Sequence, residues 1–260
     1  MAHKDLVREE FTRQADAYAA APMIRDAEHI AMLIRTVDPA PKARVLEVAT
    51  GPGHVALAFA QVCREVVGVD LTVAPLNIAR RMRDERGITN ARFELADADR
   101  LPFGDGEFDV VVCRFAVHHF DAPEKVIAEM ARVCRAGGTV AIEDLISSED
   151  PARAAYYNEF ERLRDTSHTR ALALSEMAQI LGRAQCEIAR FTSHGMRNAV
   201  EPWLRSAQTP PERAARTIAM IERDVAEDLS GARSVKLKGE LFFTHRIAIV
   251  VTRKLASRTN

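Results

Sequence analysis

The stretch "VLEVATGPGHVALAFA", Val45 to Ala60, decides the fold of this 260-residue chain. An apolar run leads into a glycine loop, and residues at helical spacing follow, which predicts a strand, a tight turn and a helix. The spacing Gly51-x-Gly53-x-x-Ala56 fits the glycine fingerprint of dinucleotide-binding folds. Glu47, four residues before Gly51, would however be an awkward neighbour for a pyrophosphate. The loop therefore raises the question of which nucleotide-like ligand it holds.

From Arg44 onward, short apolar runs alternate with stretches that have apolar residues at helical spacing. The apolar runs predict strands. The predicted helices between them are "HVALAFAQVC", "PLNIARRMRDERG" ending at Gly87, and a helix stopped by Gly137-Gly138. The predicted strands are "RVLEVAT", "EVVGVDL", "ARFELADA", "FDVVVCRFA" and "TVAIEDL". Strands and helices alternating at this spacing predict an α/β fold, a Rossmann-like doubly wound sheet that is mostly parallel with helices on both faces.

The flanking segments complete a single predicted domain over residues 1–260. Residues 1–42 are predicted to form a helical cap of two helices, with Pro22 breaking the pattern near the middle. Residues 43–150 form the core around the glycine loop. Residues 151–260 contain helices through Arg183, a strand from Cys186 to Arg197, a helical insertion at about 201–233 and an apolar, antiparallel last strand, "GELFFTHRIAIVVTRK".

Composition and charge exclude several classes of protein. A net charge of -1 gives no broad basic field, which argues against a nucleic-acid partner. Four scattered cysteines without a C-x-x-C pair are typical of small core residues rather than of a metal or redox site. No apolar run approaches the roughly 20 residues of a membrane span, and the N-terminus has no signal-like apolar region. We therefore expect a cytoplasmic protein.

Charge at the loop favours one class of ligand. In parallel sheets, ligands lie beyond the carboxyl ends of the strands, where the strand order reverses. A pyrophosphate prefers helix N–H groups without a carboxylate nearby, whereas Glu47 on an apolar strand requires a cation. The ammonium and sulfonium of S-adenosylmethionine meet that requirement. Asp70 ends the second strand, where a carboxylate accepts from ribose hydroxyls, and Asp97 follows the third, where one can accept from an adenine amino group. Asp70 alone would also suit NAD, and the glycines alone would suit a structural turn.

The motifs also resemble a known family. "VLEVATGPGH", "VVGVD", "ADADRLPFGDGEFDVVVCRFAVHHF" and "ARVCRAGGTVAIED" resemble class I S-adenosylmethionine-dependent methyltransferases. The "LPF.DG.FD" and "HHF" pieces are similar to the methyltransferase type 11 group, which includes ubiquinone and menaquinone C-methyltransferases. The resemblance is close from Phe11 to Leu145 and looser from Arg164 to Lys254. It implies S-adenosylmethionine as cofactor, S-adenosylhomocysteine as product and no metal.

Carried over by position, the resemblance implies cofactor contacts at Phe11, Tyr18, Glu47, Thr50, Gly51, Gly53, Asp70, Leu71, Asp97, Ala98 and Arg114. Glu47 would hold or organise the methionine amino end, with Arg114 beside the methionyl portion. Leu71 would pack on the adenine, and Ala98 would meet its edge. Phe11 and Tyr18 match an aromatic pair that caps the cofactor, although ordinary helix packing explains them as well. Two departures from the pattern are Thr50 with Pro52 in the glycine loop, and Cys134-Arg135 before the fifth strand.

Three histidines and an arginine are candidates for the chemistry of methyl transfer. His118 and His119 follow the fourth strand, where a general base could act on a phenol, an amine or an enolisable carbon. His168 and Arg170 lie in the region expected to cover the acceptor and suit an anionic or phenolic substrate. The alternative for His118 and His119 is a loop held by backbone hydrogen bonds, and the alternative for His168 and Arg170 is a solvated helix start. Glu143 and Asp144 could face the pocket or serve a structural role, whereas His194 and His245 are predicted to serve the core or the surface.

The predicted function is methyl transfer to a small metabolite that is quinone-like, phenolic or heterocyclic, with the methylated atom open. A non-catalytic S-adenosylmethionine-binding protein and an NAD-dependent oxidoreductase are the alternatives. The chain lacks the Asn/Asp-Pro-Pro-aromatic signature of amino-group DNA methyltransferases after its fourth strand. Trp203 and the helices to Arg233 are candidates for a lid or a homodimer surface.

Overall fold

The computed structural model describes residues 3–256, in which nine strands form a single sheet. The main order is β3-β2-β1-β4-β5-β9-β7, with β6 beside β5 and β8 beside β9. The strands are β1 (Arg44–Val48), β2 (Glu65–Asp70), β3 (Ala91–Leu95), β4 (Phe108–Arg114), β5 (Cys134–Ser147), β6 (Leu172–Ala173), β7 (Cys186–Ala199), β8 (Val235–Leu237) and β9 (Glu240–Lys254). β1 pairs in parallel with both β2 and β4, so the strand order reverses beside the glycine loop.

The predicted antiparallel last strand is confirmed, because β9 runs antiparallel to both β5 and β7. The helices are α1 (His3–Arg13), α2 (Ala15–Ala20), α3 (Pro22–Arg25), α4 (Ala27–Val37), α5 (His54–Phe59), α6 (Val73–Glu85), α7 (Pro123–Val133), α8 (Pro151–Arg164), α9 (Leu174–Arg183), α10 (Val200–Ser206) and α11 (Pro211–Glu227). A 3₁₀ turn, Val117–His119, follows β4.

Helices cover both faces of the sheet, as the pattern predicted. Alternate residues of β1 enter opposite cores: Val45 packs in the cluster with α4, α5 and α6, and Leu46 in the cluster with α7 and α9. This alternation follows from the period of two along a strand, so a sheet buried on both faces needs continuous apolar runs. The Rossmann-like class predicted from the sequence is therefore confirmed.

The helix boundaries differ from the predicted ones in two places, the N-terminal segment and the end of α7. The N-terminal segment contains four helices rather than two, because Pro22 begins α3 and the Asp26 side chain caps α4, accepting from the backbone N–H groups of Glu28 and His29. α7 ends at Val133, before Gly137-Gly138, since Cys134 already has extended backbone and begins β5. Gly138 serves close packing instead, as a Cβ there would lie 2.8 Å from the carbonyl oxygen of Asp109.

The region after β7 contributes core rather than only surface. Trp203 on α10 is buried, and its ring lies 4.6 Å from that of Phe243 on β9. α11 packs against α8 and so completes a third apolar cluster over the carboxyl end of the sheet. No helix among residues 3–256 has the length and apolar character to cross a membrane.

Candidate active site

A cavity of about 940 Å³ of empty space, partly open to solvent, lies at the carboxyl ends of β1 to β4. We call it the outer cavity. Each of these strands contributes a loop to it, and α1 and α2 cover it from above. The site residues predicted from the sequence that line it are Phe11, Tyr18, Gly51, Asp70, Leu71, Asp97, Ala98 and His119. The structure thus brings together residues that span more than 100 positions in the sequence.

Asp70 fixes the glycine loop against the end of β2. One carboxylate oxygen accepts from the Gly51 backbone N–H at 2.8 Å, and the other from that of Thr72 at 2.9 Å. Burial raises the pKa of Asp70 to about 6, against the lowering effect of these hydrogen bonds. A carboxylate held in this way is oriented before any ligand arrives.

Gly53 supports the loop without lining the cavity. Its φ is +80°, and a Cβ there would lie 2.7 Å from the Ala79 Cβ and 2.9 Å from the Phe93 ring. The glycine is therefore required by close packing against α6 and β3. Among the described residues, Gly51 is the glycine of this loop that lines the outer cavity, so contact of Gly53 with the cofactor stays a prediction.

Glu47 organises the loop from below. Its Oε2 accepts from the Thr50 hydroxyl at 2.5 Å and from the Ala56 backbone N–H at 2.8 Å. Burial raises the pKa of Glu47 to about 8, despite these bonds and the charge of Arg114. Glu47 and Thr50 line a small annex of the outer cavity together with Arg114. With its raised pKa, the Glu47 carboxyl is mainly protonated at neutral pH, so burial is accommodated by the proton rather than by the cation that the sequence argument called for.

Arg114 ties the N-terminal helices to the sheet. Its Nε donates to Glu143 on β5 at 3.0 Å, while its two Nη atoms donate to the backbone oxygens of Ile24 and Met23. The guanidinium is buried and fully engaged, so it forms one wall of the annex. This role of Glu143 was one of the two left open by the sequence.

Asp97 faces the outer cavity but already has a cationic partner. Lys4 of α1 donates to both oxygens of Asp97, at 2.7 and 2.8 Å, and to Asp99 at 2.7 Å. Although burial acts to raise it, the pKa of Asp97 is lowered by the Lys4 ammonium. Lys4 was not predicted as a site residue, since nothing local in the sequence connects it to a loop 93 residues away. An adenine amino group would share Asp97 with this lysine.

The aromatic pair predicted in the N-terminal segment covers the outer cavity. The rings of Phe11 and Tyr18 meet edge to face at 5.3 Å, and Phe11 meets the His119 ring in the same way at 5.1 Å. His3 also donates from Nε2 to the His119 backbone oxygen at 2.8 Å. α1 is therefore docked on the histidine loop as well as on the loop after β3.

His118, His119 and His168 line a second space, the inner chamber, beside the outer cavity. The rings of His118 and His119 lie 4.2 Å apart, and those of His118 and His168 lie 5.3 Å apart. Tyr18, Phe115 and His119 line both spaces, so they form the shared wall. The inner chamber has about 440 Å³ of empty space.

His118 is paired with a buried carboxylate. Its Nδ1 lies 2.5 Å from Oδ1 of Asp144, which also accepts the Leu145 backbone N–H, while Oδ2 accepts those of Val117 and His118. Burial opposes protonation, but Asp144 raises the pKa of His118 above its usual range. Asp144 thus stabilises the protonated form of His118 against the effect of burial.

His119 is held as a neutral base. Its Nδ1 lies 3.0 Å from the Ser167 backbone oxygen, and because a carbonyl only accepts hydrogen bonds, Nδ1 carries the proton. Ser167 is fixed in turn by Asp165, to which its hydroxyl donates at 2.6 Å. Burial and the neighbouring His118 lower the pKa of His119 to about 4. Within residues 3–256 no hydrogen bond reaches Nε2, which leaves its lone pair available.

His168 is neutral for a similar reason. Its Nε2 donates to Oδ1 of Asn158 at 2.8 Å, and the same oxygen accepts from the Ala171 backbone N–H at 2.7 Å. Burial, together with His118 and His119, holds the pKa of His168 well below its usual range. His168 therefore reaches the inner chamber as predicted, in a fixed orientation.

Arg170 is the predicted site residue that the structure does not bring to the chamber. The backbone N–H groups of Thr169 and Arg170 both donate to the His118 oxygen, and the Arg170 side chain points outward to an exposed ion pair with Glu176. Substrate contact by Arg170 stays a prediction, and in this structure its guanidinium is paired with Glu176 outside both spaces.

Sequence reasoning missed the far side of the inner chamber. Glu161 and Arg164 of α8, Asp165 and His245 line it, although His245 was expected in the core or on the surface. A signal for Glu161 was present, since it follows Tyr157 by four residues on the buried face of α8, where a carboxylate needs a partner. Among residues 3–256, no group of three His, Cys, Asp or Glu side chains has an arrangement that could hold a metal ion.

Comparison with known proteins identifies the family. A family described as "Methyltransferase domain" matches residues 46–142, from β1 into β5. The chain is 32% identical over 220 residues to the uncharacterized methyltransferase YcgJ of Bacillus subtilis, covering 84% of this chain and 87% of that protein. The chain belongs to the methyltransferase family. It is a class I S-adenosylmethionine-dependent enzyme, as the motifs predicted.

Two further comparisons bear on this methyltransferase. The crystal structure of YcgJ superposes with a TM-score of 0.83 at 28% identity, covering 88% of this chain and 99% of that one. The demethylmenaquinone methyltransferase of Thermus thermophilus is 42% identical over 108 residues, which is 41% of this chain and 48% of that protein. The methyltransferase core is therefore shared with both proteins, and the match to YcgJ extends over most of the chain.

Proposed function

We propose that this methyltransferase transfers a methyl group to a small aromatic molecule with an ionisable hydroxyl or ring nitrogen, such as a phenolic, quinone-like or heterocyclic metabolite. The observation that carries the proposal is the place of His119, which lines both the outer cavity and the inner chamber. The outer cavity would hold the cofactor and the inner chamber the acceptor. Similarity to a demethylmenaquinone methyltransferase supports a quinone-like ring.

The residues of the outer cavity fit S-adenosylmethionine. Asp70 would accept from the ribose hydroxyls, Leu71 and Ala98 would contact the adenine, and the Glu47 carboxyl in the annex would accept a hydrogen bond from the amino group of the methionine end. When bound, the cofactor supplies an electrophilic methyl group on a sulfonium. A dinucleotide fits less well, because the buried Arg114 guanidinium is already bound to Glu143 and is not free for a pyrophosphate.

His119 would act as the base or the orienting group. Transfer from sulfur to the acceptor atom would release S-adenosylhomocysteine with the electron pair of the broken carbon–sulfur bond, and Nε2 of His119 would take the acceptor's proton. Ser167 and Asp165 keep the Nδ1 proton in place and so direct the Nε2 lone pair. Tyr18 and Phe115, which close the shared wall, would exclude water from this transfer.

The domain plan is part of the same proposal. Residues 1–42 would cap the cofactor, residues 43–150 would bind it, and residues 151–260 would cover the acceptor, all within one domain. A cytoplasmic location and a homodimer stay predictions from the sequence.

The test is the variant His119→Gln, assayed with methyl-labelled S-adenosylmethionine against a panel of phenols, quinols and aromatic heterocycles. Glutamine keeps a polar side chain but cannot take the proton, so we expect kcat to fall about 10²- to 10⁴-fold while S-adenosylhomocysteine still binds. His194→Gln, outside both spaces, is the matched control. Tight cofactor binding with no transfer to any member of the panel would favour the non-catalytic alternative.

A further inference from the structure

His118 and His119 present two imidazole edges side by side in the inner chamber, and the transfer step uses one of them. Both residues lie in the 3₁₀ turn Val117–His119 and line the chamber, with ring centroids 4.2 Å apart and ring planes tilted by 44°. Each ring is anchored through Nδ1, that of His118 by Asp144 and that of His119 by the Ser167 backbone oxygen. In both rings, the edge that remains for a ligand therefore carries Nε2.

Asp144 fixes the orientation of the His118 ring. The Asp144 side chain is 1% exposed, and three backbone N–H groups donate to it in addition to Nδ1 of His118. Because an ionised carboxylate only accepts hydrogen bonds, Nδ1 of His118 carries a proton. Within residues 3–256 the His118 ring makes no other hydrogen bond, and its side chain keeps 10% of its surface exposed. Nε2 thus faces the chamber, with a lone pair when the ring is neutral and with a proton when it is charged.

A hydroxyl is the ligand group that suits both states of this edge. It donates to the lone pair of the neutral ring and accepts from the N–H of the charged ring, whereas a carbonyl oxygen suits only the charged ring. Asp144 raises the pKa of His118 despite its burial, while the pKa of His119 is lowered to about 4. His118 is thus the stronger base of the two, and a hydroxyl bound at its Nε2 can give up its proton there.

The field of the other charged groups supports a proton on His118. The remaining titratable or charged residues that line the chamber are Tyr18, Glu161, Arg164, Asp165, His168 and His245. Glu161 lies 2.8 Å from Nε2 of His245, and Asp165 lies 3.7 Å from Nη1 of Arg164. Both carboxylates raise the pKa of His118. Burial raises the pKa of the Tyr18 hydroxyl and lowers that of His168, so neither adds a charge.

The spacing of the two edges limits the acceptor. Ile24, Phe115 and Leu145 form apolar walls of the chamber and suit an aromatic ring. Two groups on one ring that reach adjacent imidazoles lie at neighbouring positions, because groups at opposite positions point away from each other. The acceptor therefore carries its second polar group beside the one that faces His119.

We propose that His118, oriented by Asp144, binds and deprotonates a hydroxyl of the acceptor that is adjacent to the position that receives the methyl group. The O–H bond breaks, its electron pair stays on the oxygen, and its proton moves to Nε2 of His118. The oxyanion and the imidazolium then form an ion pair. This inference rests on the proposed function, because it specifies the class of acceptor as a ring with a hydroxyl beside the methylated position.

Positional isomers test the geometry in the wild type. Catechol, resorcinol and hydroquinone, which differ only in the placement of the second hydroxyl, are titrated anaerobically into protein loaded with S-adenosylhomocysteine. We expect catechol to bind at least about fivefold more tightly than the other two, which is the size of one hydrogen bond. Equal binding of the three isomers, no binding of any, or a preference for resorcinol or hydroquinone would overturn the inference.

The proton transfer is measured with 4-nitrocatechol, whose anion has a visible absorption band of its own. We expect the bound compound to ionise at least about one pH unit below the free compound, because the imidazolium stabilises the anion. His118→Gln keeps a hydrogen-bonding side chain but cannot hold the proton, so this shift should disappear. His194→Gln, outside both spaces, should keep the shift, and so should His119→Gln, because His119 is the weaker base.

The outcomes separate this inference from the proposed function. A shift that is absent from the wild type, survives in His118→Gln or is lost in His119→Gln would overturn the inference. If His118→Gln no longer binds S-adenosylhomocysteine, the isomer preference and the ionisation shift of the wild type still decide. Unchanged turnover in His119→Gln, with the catechol preference and the ionisation shift intact, would count only against the proposed function.

Discussion

Replacing Glu47 with glutamine should make the protein more stable, relative to the wild type, as the pH rises from 5 to 8. Burial raises the pKa of Glu47 from 4.5 to about 8, so the folded protein keeps this proton up to about pH 8 while the unfolded chain loses it above pH 4.5. In that window the unfolded state binds fewer protons, and the free energy of unfolding of the wild type falls as the pH rises. Glutamine has no proton to lose, and its Oε1 can still accept from Thr50 and Ala56.

The magnitude follows from the size of the pKa shift. Each unit corresponds to about 1.4 kcal/mol, so the wild type should lose roughly 3 to 4 kcal/mol between pH 5 and pH 8 through this group. Urea unfolding at both pH values should show the difference between Glu47→Gln and the wild type growing by that amount. Glu85→Gln, on the exposed side of α6, is the control and should stay within about 0.5 kcal/mol of the wild type. Parallel behaviour of Glu47→Gln and the wild type would mean that Glu47 is ionised in the folded protein, which would refute the reasoning.

Three other substitutions test separate parts of the site. Asp70→Asn removes the carboxylate that fixes the glycine loop and lines the predicted ribose site. Titration calorimetry should show an affinity for S-adenosylhomocysteine at least about tenfold weaker, on the order of one hydrogen bond to a charged group. Unchanged affinity would contradict the assignment. Gly53→Ala should lower the free energy of unfolding, measured by chemical denaturation, by about 2 to 4 kcal/mol. Gly87→Ala, also at positive φ but in open space, should lower it by about 1 kcal/mol. Equal losses would exclude close packing as the reason for a glycine at position 53. Lys4→Met removes the ammonium that pairs with Asp97 and Asp99 and leaves Lys125 as the ion-pair partner of Asp99, so the amides of α1 should exchange hydrogen faster. Unaltered exchange would show that other contacts hold α1 in place.

The core of the fold was predictable because its signals are local. The strand–turn–helix at Gly51, the apolar runs of β1 to β5 and the positive-φ glycine after α6 depend on residues within a few positions of each other. The end of α7 depends instead on tertiary structure. α7 stops at Val133 because Cys134 joins the sheet, although the sequence offered glycines from four residues later as the stop.

The site was predictable only where a residue follows a strand end. Asp70, Asp97 and His119 follow strands, and the topology of a parallel sheet brings such positions to one edge. Lys4, Glu161 and His245 reach the site from α1, α8 and β9, so their positions depend on how distant segments pack. Arg170 shows the converse. It lies two positions after His168, which lines the inner chamber, but its own side chain forms an exposed ion pair with Glu176 while the Thr169 and Arg170 backbone N–H groups donate to the His118 oxygen.

The low basicity of His119 has a consequence for the catalytic cycle. At pH 7, an imidazole with a pKa of about 4 gives up a captured proton with an equilibrium preference of about a thousandfold. A proton taken from the acceptor would thus pass to solvent without accumulating, and the base would be regenerated before the next substrate arrives. We expect the pace of turnover to be set instead by the undocking of α1, because this one helix holds both His119 and the loop of Asp97.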